Sequence, residues 1–238
     1  MEKLNGKTVL IVGATGGIGR QTASLVKSSG ANLFLTSRNA AQLAELGERL
    51  SVPHYQRFTL DVTQPETVNV VAAQIHAQVP QIDVLINAVG IGIIKPLETL
   101  THEDFTRSLA VNLTGTFNLL KAFLPPMKES KTGLIINLPG VLGKTPMAGA
   151  AAYSASKYGL NGMLKSVREE LKRTEIRITN IYLGGTDTPF WDTIDMRVQR
   201  DKFVTAEEAA KAIWFLCQQP SSGVVSEMVL QPFNHQAI

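Results

Sequence analysis

Val9-Leu10-Ile11-Val12-Gly13-Ala14-Thr15-Gly16-Gly17-Ile18-Gly19-Arg20 lies close to the start of the chain. Its four apolar residues, rich in Val and Ile, suit a buried strand. The glycines that follow let the backbone adopt a positive φ and approach a bound group closely. A helical pattern opens at Gly17, so its unpaired first-turn N–H groups and positive dipole end face whatever the turn holds. A glycine-rich turn alone also serves plain tight turns. Between a first strand and a helix it reads as a pyrophosphate cradle, with Gly13, Thr15, Gly17, Ile18 and Gly19 as candidate ligands. The spacing is G-x-x-x-G-x-G rather than G-x-G-x-x-G.

Strand and helix patterns alternate outward from this turn. Residues 8–12, 32–36, 55–60, 84–87, 134–138, 177–183 and 224–230 are predicted strands. Residues 17–28, 40–50, 65–78, 102–127, 151–173 and 206–218 are predicted helices. Most strands are continuously apolar, as in a parallel sheet covered on both faces. Thr101 and Thr205, each followed by acids, read as helix caps. The fold class is therefore α/β, a Rossmann-type doubly wound parallel sheet. No linker or repeat divides it, so residues 1–238 read as a single domain.

Composition removes other classes. A hydrophobic content of 44% with 18% charged residues is that of a globular chain able to bury a core, not a disordered one. The net charge of +3 is dispersed, which argues against a nucleic-acid or membrane surface. The lone cysteine, Cys217, lies in an apolar run and is expected in the core, and no Cys or His spacing suggests a metal site. The segment from Met1 to Lys7 lacks a signal-peptide pattern and no uninterrupted apolar span appears, so a cytoplasmic protein is expected.

The end of the second strand bears on the cofactor. An NAD-binding site usually places an acid there for the ribose 2′-hydroxyl. Here Ser37 is followed by Arg38. A guanidinium can pair with a 2′-phosphate and stack on adenine, so NADP(H) is the expected cofactor.

Further motifs give the chain a resemblance to the short-chain dehydrogenase/reductase family along nearly its full length. Leu60-Asp61-Val62 resembles the family's adenine-contact segment. Ile86-Asn87-Ala88-Val89-Gly90 resembles its Asn-Asn-Ala-Gly motif, with only Asn87 and Gly90 unchanged. Asn112 matches its helix asparagine, and Tyr153-Ser154-Ala155-Ser156-Lys157 its Tyr-x-x-x-Lys signature. The resemblance implies that Tyr153, Lys157 and Asn112 are catalytic, with Asn112 holding a water that relays the proton. It also implies that Tyr153, Lys157, Asp61, Val62, Asn87 and Gly90 belong to the cofactor site, as do Gly184 and Thr188 at its nicotinamide end.

The Tyr–Lys spacing has a physical basis. Residues four apart on a helix share a face. A phenol with an ordinary pKa near 10 is a poor acid or base at neutral pH. A neighbouring ammonium favours phenolate. Tyr153 could then give a proton to a carbonyl oxygen while hydride reaches carbon, or take it back.

Two departures from the family pattern stand out. The family's catalytic serine lies thirteen residues before the tyrosine, where this chain has Gly140. Losing such a donor can cost about a hundred- to a thousand-fold in rate. A water, the Gly140 N–H, or a hydroxyl from Thr145 or Ser154 could replace it. Leu183-Gly184 stands where the family has Pro-Gly, and Pro139 is unusual at a strand end. Residues 186–203 read as a substrate lid whose aromatics suit either an apolar substrate or core packing.

The resulting expectation is an NADP(H)-dependent oxidoreductase of a small carbonyl/alcohol substrate. The alternative is a cofactor-binding protein with little turnover and a sensing or partner-binding role. The resemblance of residues 207–230 to the family's oligomer-forming segment implies a homodimer or homotetramer.

Overall fold

A computed structural model describes residues 3–234, so the outer ends of the domain read over 1–238 lie outside the described residues. Seven parallel strands form the main sheet: β1 (Thr8–Val12), β2 (Asn32–Ser37), β3 (Arg57–Thr59), β4 (Val84–Asn87), β5 (Thr132–Asn137), β6 (Glu175–Leu183) and, last in the chain, β9 (Glu227–Leu230). Their order is β3-β2-β1-β4-β5-β6-β9. The order reverses between β1 and β4, which opens a crevice beyond their carboxyl ends, where Gly13 and Gly90 stand.

The apolar runs read as they do because both faces are buried. Along β1, Val9 and Ile11 enter one core, with α1 (Gly17–Ser28), α2 (Ala40–Arg49) and α7 (Ala206–Leu216). Leu10 and Val12 enter the other, with α3 (Pro65–His76), α5 (Gly115–Ser130) and α6 (Ala151–Glu170). Alternate side chains point to opposite faces of a strand, so a doubly covered strand is apolar at every position. Cys217 is buried in the first core, which pushes its thiol up to about 12. The threonine caps form as full capping boxes at Thr101 and Thr205.

The structure corrects several boundaries. The predicted third strand shrinks to three residues because His54–Gln56 forms a 3₁₀ turn. The last strand starts at Glu227, not 224. The helix predicted over 102–127 is α4 (His102–Leu109), a π-helical turn at Ala110–Thr114, and α5. Hydrophobic period cannot show a one-residue widening of the helical ladder. Two short strands, β7 (Thr186–Asp187) and β8 (Val204–Thr205), pair in parallel and close a loop over residues 188–203. Among the described residues, no helix is long and apolar enough to cross a membrane, and no group of His, Cys, Asp and Glu could hold a metal.

Candidate active site

The turn after β1 is fixed by backbone contacts. The N–H groups of Gly13 and Ala14 both donate to Thr36 O, at 3.0 and 2.9 Å. Gly13 has φ +83°, and a Cβ there would lie 3.0 Å from the Ala88 carbonyl carbon at the end of β4. A Cβ at Gly19 would collide with Gly13 O, so helix α1 can begin against the turn only if this residue is glycine. No side chain caps the α1 N-terminus and no acid lies in its first turn. Its leading N–H groups are thus free for an anion.

Thr15 and Ser37 tie the turn to β2 through hydroxyls 2.6 Å apart. Arg38 beside them is exposed and makes no ion pair with the described residues. Leu60 N donates to Ser37 O at 2.9 Å, bringing Asp61 to the same edge. Asp61 Oδ1 accepts from Thr63 N and Oγ1, at 2.9 and 2.8 Å, which leaves Oδ2 without a bond. Val62 is buried, packs against Gly115 on α5, and its carbonyl accepts from Asn118 Nδ2 at 2.9 Å. Only its N–H remains to face a ligand.

Asn87 and Asn112 are buried and hydrogen-bonded. Asn87 Nδ2 donates to Thr116 Oγ1 at 2.9 Å, while its Oδ1 accepts from Val89 N at 3.2 Å. Asn112 stands on the π-turn, where Gly115 N reaches back to Ala110 O. Asn112 Oδ1 accepts from Ile91 N at 2.9 Å, and its Nδ2 donates to Ile91 O at 3.0 Å and Ser156 Oγ at 2.9 Å. Ser156 in turn donates to Tyr153 O at 2.7 Å. This carboxamide therefore clamps the exit of β4 to α6 beneath the tyrosine. Ser156 had no sequence signal, because its role depends on a contact across 44 positions.

Lys157 is 3% exposed and donates to Leu138 O at 3.0 Å. Its ammonium lies 5.6 Å from the Tyr153 ring centroid, and a Cβ on Gly90 would stand 3.3 Å from Nζ. Burial lowers the Lys157 pKa to about 8 and pushes the Tyr153 phenol well above its ordinary range. An ammonium has three donors, so two remain after the Leu138 bond.

Gly140 has φ +71° and ψ 168°, a conformation populated by glycine almost alone. A Cβ there would be 3.8 Å from the Tyr153 hydroxyl and 3.5 Å from Leu183 O, so space exists while the backbone resists a side chain. Thr145 lines the same cavity as Tyr153 and Gly140. Ser154 does not, and its Oγ is buried without a partner.

The 188–203 segment lines one side of the cavity. Thr188 and Pro189 press on Gly17, where a Cβ would come within 2.8 Å of the Thr188 side chain. Phe190 packs tilted against Tyr153 with ring centroids 5.9 Å apart, and the Trp191 Nε1–H donates to Thr186 O at 2.9 Å. Arg200 holds three points of this segment. Its Nε and Nη1 pair with Asp187 and Asp192 at 2.5 and 2.6 Å, and Nη2 donates to Thr188 O at 3.1 Å. No motif announced Arg200. Gly184 donates to Leu230 O at 2.8 Å, and a Cβ there would crowd Pro232 of the C-terminal segment.

One cavity of about 1170 Å³ joins Thr15, Gly17, Ile18 and Gly19 to Gly90, Gly140, Tyr153, Lys157, Gly184 and Thr188. Gly13, Ser37, Arg38, Asp61, Val62, Asn87 and Asn112 are not in its wall. Ser37, Arg38, Asp61 and Val62 are at the β2–β3 edge, Gly13 packs against the exit of β4, and the two asparagines are hydrogen-bonded behind the wall.

A dinucleotide-type sheet, an uncapped glycine turn and a buried Tyr–Lys pair in one cavity define a class of oxidoreductases. The short chain dehydrogenase family matches residues 7–198, and the chain belongs to it. An uncharacterised oxidoreductase of Staphylococcus epidermidis is 29% identical across 98% of this chain and all of that one. Two solved structures share the fold. A metagenomic short-chain oxidoreductase in complex with NADP is 29% identical, with a TM-score of 0.81 over 97% of this chain and 99% of that one. An alcohol dehydrogenase of the archaeon Thermococcus sibiricus complexed with 5-hydroxy-NADP is 26% identical, with a TM-score of 0.87 over 98% and 99%.

Proposed function

We propose that the chain uses NADP(H) to interconvert a carbonyl and an alcohol, with residues 186–203 as a lid. The observation that carries this reading is the meeting, in one cavity, of the free α1 N-terminus with the Tyr153 hydroxyl and the Lys157 ammonium. The residues fit a dinucleotide. Leading N–H groups face an anion, Lys157 has two spare donors beside Gly90, and the volume exceeds that of a pocket for one small ligand, about 300–1000 Å³. The proposed cofactor residues are Gly13, Thr15, Gly17, Ile18, Gly19, Ser37, Arg38, Asp61, Val62, Asn87, Gly90, Tyr153, Lys157, Gly184 and Thr188. The preference for NADP(H) over NAD(H) rests on the unpaired Arg38 and the absence of an acid at Ser37, and the two NADP-type neighbours support it.

When bound, the nicotinamide supplies or accepts the hydride. Tyr153 donates its proton to the carbonyl oxygen in reduction and takes it back in oxidation. Burial makes the phenol a reluctant acid, so the Lys157 charge is needed to stabilise the phenolate that remains. With a pKa of about 8, Lys157 is still mostly protonated at neutral pH. Asn112 is the proposed proton-relay residue, and with Ser156 it also holds the Tyr153 backbone in place. A homodimer or homotetramer through residues 207–230 belongs to this proposal, supported by the exposed Phe215 and Val229.

Steady-state NADPH oxidation against ketones and aldehydes tests the reading. Tyr153→Phe should abolish turnover while NADPH still binds. Arg38→Ala should weaken NADPH binding about tenfold or more and leave NADH binding unchanged, as expected for a lost charge-assisted pair. Equal effects on both cofactors would refute the NADP(H) assignment. The second reading, a cofactor-binding protein of little turnover, is favoured by Gly140, where the backbone has left the geometry of a side-chain-bearing residue. Tight NADPH binding with no turnover on any carbonyl would select it.

A further inference from the structure

We infer that the substrate half of this cavity takes a neutral, largely apolar ketone or aldehyde, an inference that rests on the carbonyl-reducing reading above. The wall around the Tyr153 hydroxyl is built from two sides. On the lid side, Phe190 packs so closely on Gly92 that a methyl group there would strike its ring. Trp191 meets Phe190 edge-on at 5.4 Å and is backed by Phe203 at 5.1 Å. Because the Trp191 N–H is bonded to Thr186 O, the indole has only apolar surface to offer a ligand. On the other side, Leu142 and Met147 line the cavity, together with Ile94. Lys95 N donates to Gly149 O at 2.7 Å, and this bond holds the Ile94 segment against the loop carrying Met147.

The ionised groups that line the cavity are, with one exception, already engaged. Arg200, Asp187 and Asp192 neutralise one another, and Lys144 pairs with Glu227 at 2.5 Å. Arg20, at the phosphate turn, lies 3.6 Å from Glu45. Lys157 donates once to Leu138 O, and its other two donors are assigned to the cofactor in the reading above. Among the described cations that themselves line the cavity, the remaining one is Lys202, at an exposed position on its rim and in no ion pair with the described residues. An exposed ammonium stays hydrated and gives little to an ion pair. A carboxylate carried into the apolar wall would lose its water without a buried partner. The wall therefore accepts a carbonyl flanked by apolar groups and rejects acids and polyols.

The test compares NADPH-dependent reduction of acetophenone, para-acetylbenzoate and dihydroxyacetone. Acetophenone should exceed the other two in kcat/KM by at least about tenfold, the least effect expected for burying unpaired polar groups. A parallel titration of acetophenone into the NADPH complex follows Trp191 fluorescence, with Trp191→Phe as the control. Trp214 is elsewhere, bonded to Ser29 Oγ, and gives a constant background. Quenching by acetophenone without turnover upholds the apolar wall and refutes the catalytic reading instead. The absence of both quenching and turnover overturns the inference. So does preference for dihydroxyacetone, or for para-acetylbenzoate with that preference lost in Lys202→Met.

Discussion

Gly140→Ala and Gly140→Ser test whether the site has lost a side chain or has been rebuilt around its absence. A Cβ at this position would make only ordinary contacts, 3.5 Å from Leu183 O and 3.8 Å from the Tyr153 hydroxyl. Crowding therefore contributes little. The cost comes from the backbone: φ +71° with ψ 168° is a region that side-chain-bearing residues avoid by about 1–3 kcal/mol. For a chain of this size, each kcal/mol lowers Tm by about 2–4 °C, so either variant should melt about 2–12 °C below the parent. Calorimetry at matched NADPH concentration reads this shift, since bound cofactor would otherwise raise Tm by mass action. The hydroxyl is isolated by comparing the two variants. A serine Oγ could come within hydrogen-bond distance of the Tyr153 hydroxyl only if residue 140 keeps its left-handed backbone. Relaxing that backbone would shift the adjoining Val141–Gly143 turn, whose Gly143 N–H donates to Gly140 O at 3.0 Å. The expected result is that both variants are destabilised equally and that neither exceeds the parent in kcat/KM. A serine variant that melts with the parent and is faster would refute the reasoning and make Gly140 a simple deletion.

Arg200→Met should free the 188–203 segment by removing its three-point clamp. The expected signature is a several-fold rise in KM for NADPH with a smaller change in kcat, and loss of the parent's salt sensitivity in KM. Unchanged KM at low and high salt would show that packing on Gly17 alone holds the segment. Burial lowers the Lys157 pKa to about 8, below the ordinary lysine value of 10.5, so folding is opposed by its charge below pH 8 and relieved as pH rises toward 10.5. Lys157→Met should therefore be more stable at neutral pH, by up to about 3 kcal/mol, and inactive. Its stability should also rise less between pH 8 and 10.5, and a variant less stable than the parent at pH 7 would refute this. In the parent, ketone reduction should fall as pH passes about 8 and Lys157 loses the proton that supports Tyr153.

The sequence was most informative where a local pattern suffices. Continuous apolar strands, the glycine turn and the threonine caps are each dictated within a few residues, and all appear in the structure. The Tyr153–Lys157 pair is legible for the same reason, because a helix places residues four apart on one face. The edges were less legible: Tyr55 reads as strand but stands exposed in a 3₁₀ turn, and Asn112 reads as helix but occupies a π-turn. Those outcomes depend on what packs against the segment. Arg200, Ser156 and the Leu138 carbonyl gave no signal, since each acts across a distance in the chain that only folding closes.

By itself, then, the sequence determined the doubly wound sheet, the turn at Gly13–Gly19 and the candidate Tyr–Lys pair, because short-range sterics and periodic burial encode them. Only the tertiary structure decided that Gly140 is left-handed, that Asn112 is tied to Ile91 and Ser156, and that Arg200 clamps the segment over Gly17. It also decided which charges near the cavity are neutralised. Such facts depend on partners brought together from distant parts of the chain, and no local pattern carries them.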